Sequence, residues 1–345
     1  MSEHDDPAAS LMRLLWGYTT TGLTVAALRL GLPDRLADRT RTTAELAAET
    51  GSHEPSLNRL LRALAAIGLV DEVEPGRYRL SAVGALLRTA GAGSMYAVAR
   101  VSTDATVVDG WRDLDHSVRT GQPVFDREYG TDFWTHLARD PELSALFNAS
   151  MGEGTQDTAN AIAKHYDFSR FATVVDVGGG NGTLLASILA AEPAVRGIVF
   201  DNPQGVAEAP AELRAAGVAD RCEVRAGDFF TDVPAGGDLY LLKNILHDWD
   251  DERAALILAN CRRAVPDGGR VLLVESVLPA RVDPAGPPDA YLMDINMLVN
   301  FGGRERTEAE FHALLSAAGF TPSPAVQVGD GEDFLIEGRA PQEAR

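Results

Sequence analysis

The run Val174-Val175-Asp176-Val177-Gly178-Gly179-Gly180-Asn181-Gly182 joins a short apolar strand directly to a helical segment, Thr183–Ala191. Glycines at such a junction let the chain turn tightly and let a ligand approach the backbone. Gly178, Gly180 and Gly182 are spaced GxGxG, whereas a pyrophosphate cradle shows GxGxxG. Further along, the apolar runs Thr173–Val177, Gly197–Phe200, Leu239–Leu242 and Val271–Val274 alternate with helical segments such as Thr183–Ala191 and Glu252–Ala264. That alternation predicts a parallel sheet covered on both faces, an α/β fold.

In an open parallel sheet, ligands bind beyond the carboxyl ends of the strands. Asp201 stands at the end of the second strand, where a carboxylate can accept from both ribose hydroxyls, and Asp228 follows the third, Cys222–Val224. There it can accept from an adenine amino group while Phe229 packs on the ring. The result is a nucleoside cradle lined with acids and lacking a phosphate lysine. Such a cradle suits the sulfonium and ammonium charges of S-adenosyl-L-methionine and penalises NAD(P) or ATP.

The ends of strands four and five carry the remaining chemistry. Strand four runs into Leu242-Lys243-Asn244-Ile245-Leu246-His247-Asp248-Trp249, which puts His247 at the start of a helix near the donor's methyl group. Strand five ends in Glu275, and Glu305 lies in Gly302-Gly303-Arg304-Glu305-Arg306, before Thr307 and Glu310 cap another helix. One imidazole with two separated carboxylates makes a base with orienting groups, because a carboxylate on the far ring N–H fixes the tautomer and raises basicity. A phenol, with a solution pKa near 10, is the acceptor that needs such a base at neutral pH. The other histidines show no metal-ligand spacing, and no metal is expected.

The chain has 345 residues and a net charge of −19. That charge repels nucleic acid and anionic membranes. No run of about 18 uncharged apolar residues could span a bilayer, and the acidic Met1–Asp6 is unlike a signal peptide, so the expected location is cytoplasmic. Cys222 and Cys261 form no CxxC pair. Residues 10–32 are apolar on several sides and call for a cover such as a second subunit. Thr42 with Glu45 reads as a capping box. Leu57, Leu60, Leu61, Leu64 and Ile67 form one helical stripe, and Leu69–Glu72 and Arg77–Leu80 form a two-stranded wing around Glu74-Pro75-Gly76. Helix, turn, helix and wing resemble a winged-helix module, whose use here is structural or for dimerisation rather than DNA reading. Residues 101–168 read as helices.

Together, Asp176–Gly182, Phe200-Asp201, Gly227-Asp228, Leu242-Lys243 with His247-Asp248-Trp249, Glu275 with Leu278-Pro279, and Gly302–Thr307 resemble the motifs of the caffeic-acid-type O-methyltransferases of plants and of bacterial antibiotic tailoring. The resemblance covers nearly the whole chain. It implies a Rossmann-like class I methyltransferase sheet with an N-terminal all-α winged-helix dimerisation domain over 1–100. The catalytic domain would span 101–345, with 101–168 as a helical acceptor-binding segment. It further implies an intertwined homodimer that methylates the phenolic hydroxyl of a small aromatic molecule without a metal. By motif, Asp176, Gly178, Gly180, Asp201, Asp228, Phe229 and Lys243 would hold S-adenosyl-L-methionine, and His247 would be the base flanked by Glu275 and Glu305. Phe147, Met151, Asp248, Met297 and Asn300 would line the acceptor pocket. Two other readings stay open: a methyltransferase-fold hydroxylase or decarboxylase of a polyketide, and a winged-helix transcription regulator.

Overall fold

The computed structural model describes residues 6–342 apart from 92, 285 and 330–332, with the backbone alone at 154–157, 160 and 163. Most of the acidic N-terminal stretch, residues 1–5, lies outside the described residues. The chain forms two compact units, Met1–Val108 and Asp109–Arg345.

The first unit begins with helices Pro7–Leu15 and Gly17–Arg29 joined at Trp16, and Leu11, Leu14, Leu15, Trp16 and Tyr18 are all more than half exposed. The capping box is present: Thr42 N–H donates to Glu45 Oε2 at 2.7 Å and Thr42 Oγ1 accepts from Glu45 N–H at 3.2 Å, opening helix Thr43–Thr50. Helix Glu54–Ala66 buries Leu57, Leu61 and Leu64. The unit is not all-α, and its wing has three antiparallel strands rather than two, because β1 (Arg41–Thr42) adds to the hairpin of β2 (Val70–Glu74) and β3 (Arg77–Leu80) in the order β1-β3-β2. The single O–H of its buried Tyr78 is shared between two acceptors, Asn58 Oδ1 at 3.0 Å and Glu72 Oε1 at 3.1 Å. Asn58, which a DNA-reading helix would present outward, is thereby used to fasten the wing.

The second unit is built on β4 (Thr173–Val177), β5 (Arg196–Asp201), β6 (Cys222–Ala226), β7 (Leu239–Lys243), β8 (Arg270–Leu278), β9 (Arg306–Thr307), β10 (Thr321–Pro322), β11 (Val326–Gln327) and β12 (Asp333–Arg339). The sheet order is β10-β12-β8-β7-β4-β5-β6, with β9 beside β8 and β11 beside β12. Strands β4 to β8 are parallel, as the apolar runs predict. Strand β12 is antiparallel to β8, and the sequence reading did not contain it.

Successive residues feed opposite faces, as strand geometry requires. Val174, Leu239, Leu241, Leu272 and Val274 pack in one core with Leu184, Leu185 and Ile188. Val175, Tyr240, Leu242, Val271 and Leu273 pack in the other with Ile257, Leu258 and Phe311. Burial on both faces explains why these strands read as continuous apolar runs. The strand order reverses between β4 and β7, which sets a crevice at their carboxyl ends.

Candidate active site

The crevice starts at the glycine loop. Gly178 has φ of +75°, and a Cβ there would lie 2.2 Å from Ile245 Cδ1. Only glycine combines that left-handed backbone with so close an approach. The same point is 3.8 Å from Phe229 Cε1, so the loop after β4, the segment after β6 and the turn after β7 converge. Asp201 Oδ2 accepts from Gly180 N–H at 3.0 Å, and its Oδ1 accepts from Asn202 N–H at 2.6 Å. Asp176 is buried and its Oδ2 has no partner within the protein. Burial, and then the nearby Asp201, push its carboxyl up to about 7. Lys243, at the end of β7, is held below its ordinary value by burial, opposed by Asp333, Glu275 and Asp176. Asp228 differs from its neighbours: its carboxylate accepts locally from Phe230 N–H at 2.9 Å and Thr231 Oγ1 at 3.1 Å.

After β7 the chain passes through Asn244, a non-glycine residue with φ of +52°, into a single 3₁₀ turn, Leu246–Asp248. His247 therefore sits on a tight turn rather than at the start of a helix, which begins at Asp251. Its Nδ1–H donates to Glu305 Oε1 at 2.8 Å, and its Nε2 is 3.5 Å from Asp248 Oδ1. Burial opposes a charge on the ring, but Asp248, Glu305 and Glu275 outweigh it and raise the pKa to about 10. Asp248 itself is pushed up to about 7, first by burial and then by the surrounding acids.

Glu275 stands inside β8 opposite Phe334, not at the strand's tip. Its Oε1 accepts from Ile245 N–H at 3.1 Å and Leu246 N–H at 2.8 Å, so it supports the turn instead of bonding the imidazole. Its Oε2, fully buried, has no partner within the protein. Arg304 N–H donates to His247 O at 2.8 Å, and Glu305 N–H donates to Asp294 Oδ1 at 2.9 Å. The close approach of these segments depends on Gly303, where a Cβ would meet His247 O at 2.0 Å.

Helix Pro141–His165 brings Phe147 and Met151 to this side: a Cβ on Gly152 would be 2.9 Å from Asn181 Nδ2 in the glycine loop. Phe147 joins Phe133, Trp134 and Phe301 in an aromatic wall with ring centroids 4.5–5.7 Å apart, and Trp134 reaches Trp249 at 6.1 Å. The indole N–H groups of Trp134 and Trp249 are buried without a partner in the protein. Met297 and Asn300 are buried in a wide π-type turn, Met297–Phe301, and Asn300 Nδ2 donates to Asn296 Oδ1 at 2.8 Å. Met151 is half exposed. No site role follows from the sequence for Asn244, Trp134 or Phe301, nor does the Gly302-Gly303 doublet announce that two backbones meet here.

Against known proteins, the model of the O-methyltransferase domain matches residues 111–321, and that of the O-methyltransferase dimerisation domain matches 12–90. This chain belongs to the O-methyltransferase family. Among the relatives of this methyltransferase is the O-demethylpuromycin-O-methyltransferase of Streptomyces alboniger, 47% identical over 92% of this chain and 88% of that protein. The phenazine O-methyltransferase PhzM of Lysobacter antibioticus is 41% identical over 95% of each. The crystal structure of LaPhzM superposes with a TM-score of 0.91 at 40% identity, over 97% of this chain and 100% of that one. That of NcsB1, solved with S-adenosylmethionine and 2-hydroxy-5-methyl naphthoic acid, gives 0.79 at 37% identity over 93% and 96%. The catalytic unit is thus a class I methyltransferase sheet.

Proposed function

We propose that this O-methyltransferase methylates a phenolic hydroxyl of an aromatic natural-product molecule, using S-adenosyl-L-methionine as donor and His247 as general base. The observation that carries the reading is the Nδ1–H bond from His247 to Glu305, which fixes the tautomer and leaves Nε2 to accept a proton. When bound, the donor supplies a methyl group on a sulfonium, a good leaving arrangement for attack by oxygen.

The residues present fit that donor. A buried carboxylate oxygen of Asp176 stands without a protein partner, Asp201 lies beside it, and Gly178 keeps the loop free of side chains. Gly178, Gly180 and Asp176 would hold the methionine portion, Asp201 the ribose, Asp228 and Phe229 the adenine, and Lys243 the cofactor's end of the crevice. Phe147, Met151, Asp248, Met297 and Asn300 would bound the acceptor. Support for a planar acceptor comes from the aromatic wall and from the aromatic compounds in the relatives' names.

Asp248, Glu305 and Glu275 raise the pKa of His247 despite its burial, so the neutral ring is a stronger base toward a phenol than a free imidazole. Glu305 then accepts from the imidazolium at Nδ1. Retention of this pair favours base-assisted methylation over hydroxylation or decarboxylation. Transcriptional regulation is disfavoured by the −19 charge. The test is to incubate the protein with donor and a panel of phenolic natural-product precursors. A product heavier by one CH₂ unit is expected; no methylated product despite bound donor would overturn the reading.

Asp201→Ala removes a carboxylate that both organises Gly180 and would receive the ribose. Hydrogen bonds to charged groups contribute about 1.5–3 kcal/mol each, so donor affinity should fall about tenfold or more. Calorimetry giving wild-type affinity would refute the ribose role. The exposed Leu11, Leu14, Leu15, Trp16 and Tyr18, next to and within the matched dimerisation segment, support a homodimer. Leu14→Glu is expected to shift the mass in light scattering from two chains to one; a wild-type mass for that variant would count against this face. Operation in the cytoplasm is also part of the proposal, supported by two free cysteines, one of them buried.

A further inference from the structure

We propose that Arg306 is the positioning residue for the base, a buried guanidinium at the start of β9 that locks the His247 turn onto the segment carrying Glu305. This rests on the reading of His247 as base. Arg306 is 0% exposed, the largest fully buried side chain among the described residues. A guanidinium is almost never buried so deep unless it is paired.

Arg306 meets them almost wholly with the His247 turn. Nη1 donates to Leu246 O at 2.8 Å and, more weakly, to Arg304 O at 3.4 Å. Nη2 donates to Trp249 O at 2.8 Å, and Nε donates to Asp251 Oδ1 at 2.9 Å, which also lies 2.9 Å from Nη2. The carbonyls on either side of His247, those of Leu246 and Trp249, are therefore held by one rigid fork. Of the two carbonyls between them, that of His247 is taken by Arg304 N–H. Three carbonyls of the turn are thus bound to the segment 304–306, whose middle residue supplies the carboxylate for Nδ1. Glu275 holds the same turn from beneath through two N–H groups.

The geometry has a chemical purpose. A base held to one tautomer is useful only if Nδ1 and Glu305 keep their 2.8 Å separation while Nε2 gains and loses a proton. A fixed planar fork can bind two carbonyls and a carboxylate at once, whereas an ammonium is a single point with three rotatable donors. Arg306→Lys thus preserves the charge and removes the bridge.

The experiment is steady-state kinetics over a range of pH on Arg306→Lys, beside His247→Ala, with donor affinity measured by calorimetry. We expect kcat to fall about ten- to hundredfold, as a small misplacement of a reacting group does. Donor Kd should stay within about twofold, separating the loss of kcat from binding. The pH limb belonging to His247 should move down, because a loosened turn weakens the contact with Glu305. A folded Arg306→Lys with wild-type kcat and an unmoved limb overturns the proposal. So does a kcat that falls only in proportion to the folded fraction, with the limb unmoved. Should Arg306→Lys fail to fold, Asp251→Asn carries the test, since that side chain is 58% exposed: a lowered kcat with the limb moved down supports the proposal, and an unchanged kcat and limb overturns it. Full activity in His247→Ala would sink the base reading, while loss there with a normal Arg306→Lys would sink this inference alone.

Discussion

Replacing His247 by alanine should lower turnover on an ordinary phenol by about 10²–10⁴-fold, the usual contribution of a positioned general base, with donor affinity nearly unchanged. The loss has a built-in control. A phenol already ionised at the assay pH needs no base, so the variant should approach wild-type rates on it. Equal impairment on both acceptors would mean that His247 acts by packing rather than by taking a proton.

The same residue sets a pH dependence. With its pKa raised from the ordinary 6.5 to about 10, His247 is protonated at neutral pH in the free protein, and kcat/KM should climb as pH rises toward 10. Stability should move the opposite way. A group whose pKa is higher folded than unfolded contributes stability that is complete below the unfolded value and lost as pH rises through the folded one. Melting temperature is expected to decline between about pH 6.5 and 10 in the wild type and to decline less in His247→Ala.

The second large effect belongs to Gly303→Ala. Its Cβ would lie 2.0 Å from His247 O, 2.4 Å from the Asp248 carbonyl carbon and 2.7 Å from Trp249 N, all backbone atoms with no flexible end to swing away. One segment has to retreat, breaking Arg304 N–H to His247 O and loosening His247 from Glu305. Overpacking of this kind costs about 1–3 kcal/mol of stability, and a displacement near 1 Å costs about 100-fold in rate. Thermal unfolding together with kcat checks it. A variant with wild-type turnover would show that the close approach has no bearing on catalysis.

What could be read from the amino acids alone was what is decided locally. The glycine run, the capping boxes at Thr42 and Thr307, the wing and the parallel apolar strands depend on neighbours a few residues away. Asp201 was placed correctly at the end of β5 because strand ends follow from periodicity. Glu275 shows where such reading stops. Its position in β8 was close to expectation, but its partners are N–H groups about 30 residues earlier, and that depends on how β7 and β8 pair. Nothing in the stretch Gly302–Thr307 marks Arg306 as buried. Its burial follows from Gly303 admitting a second backbone, and no periodicity carries that information. Strand β12 was missed for a similar reason: it lies antiparallel at the sheet's edge side of β8, after the repeating strand–helix pattern has ended.

The turn that carries His247 makes only two long hydrogen bonds of its own, Asp248 N–H to Ile245 O and Trp249 N–H to Leu246 O, both at 3.3 Å. Its first two amides are held from residue 275 and three of its carbonyls from residues 304 and 306, up to 60 positions later in the chain. During synthesis the imidazole therefore leaves the ribosome long before anything can orient it. Competence arrives late, with the emergence of a short stretch near residue 305, so an interrupted nascent product would carry the histidine but no working base.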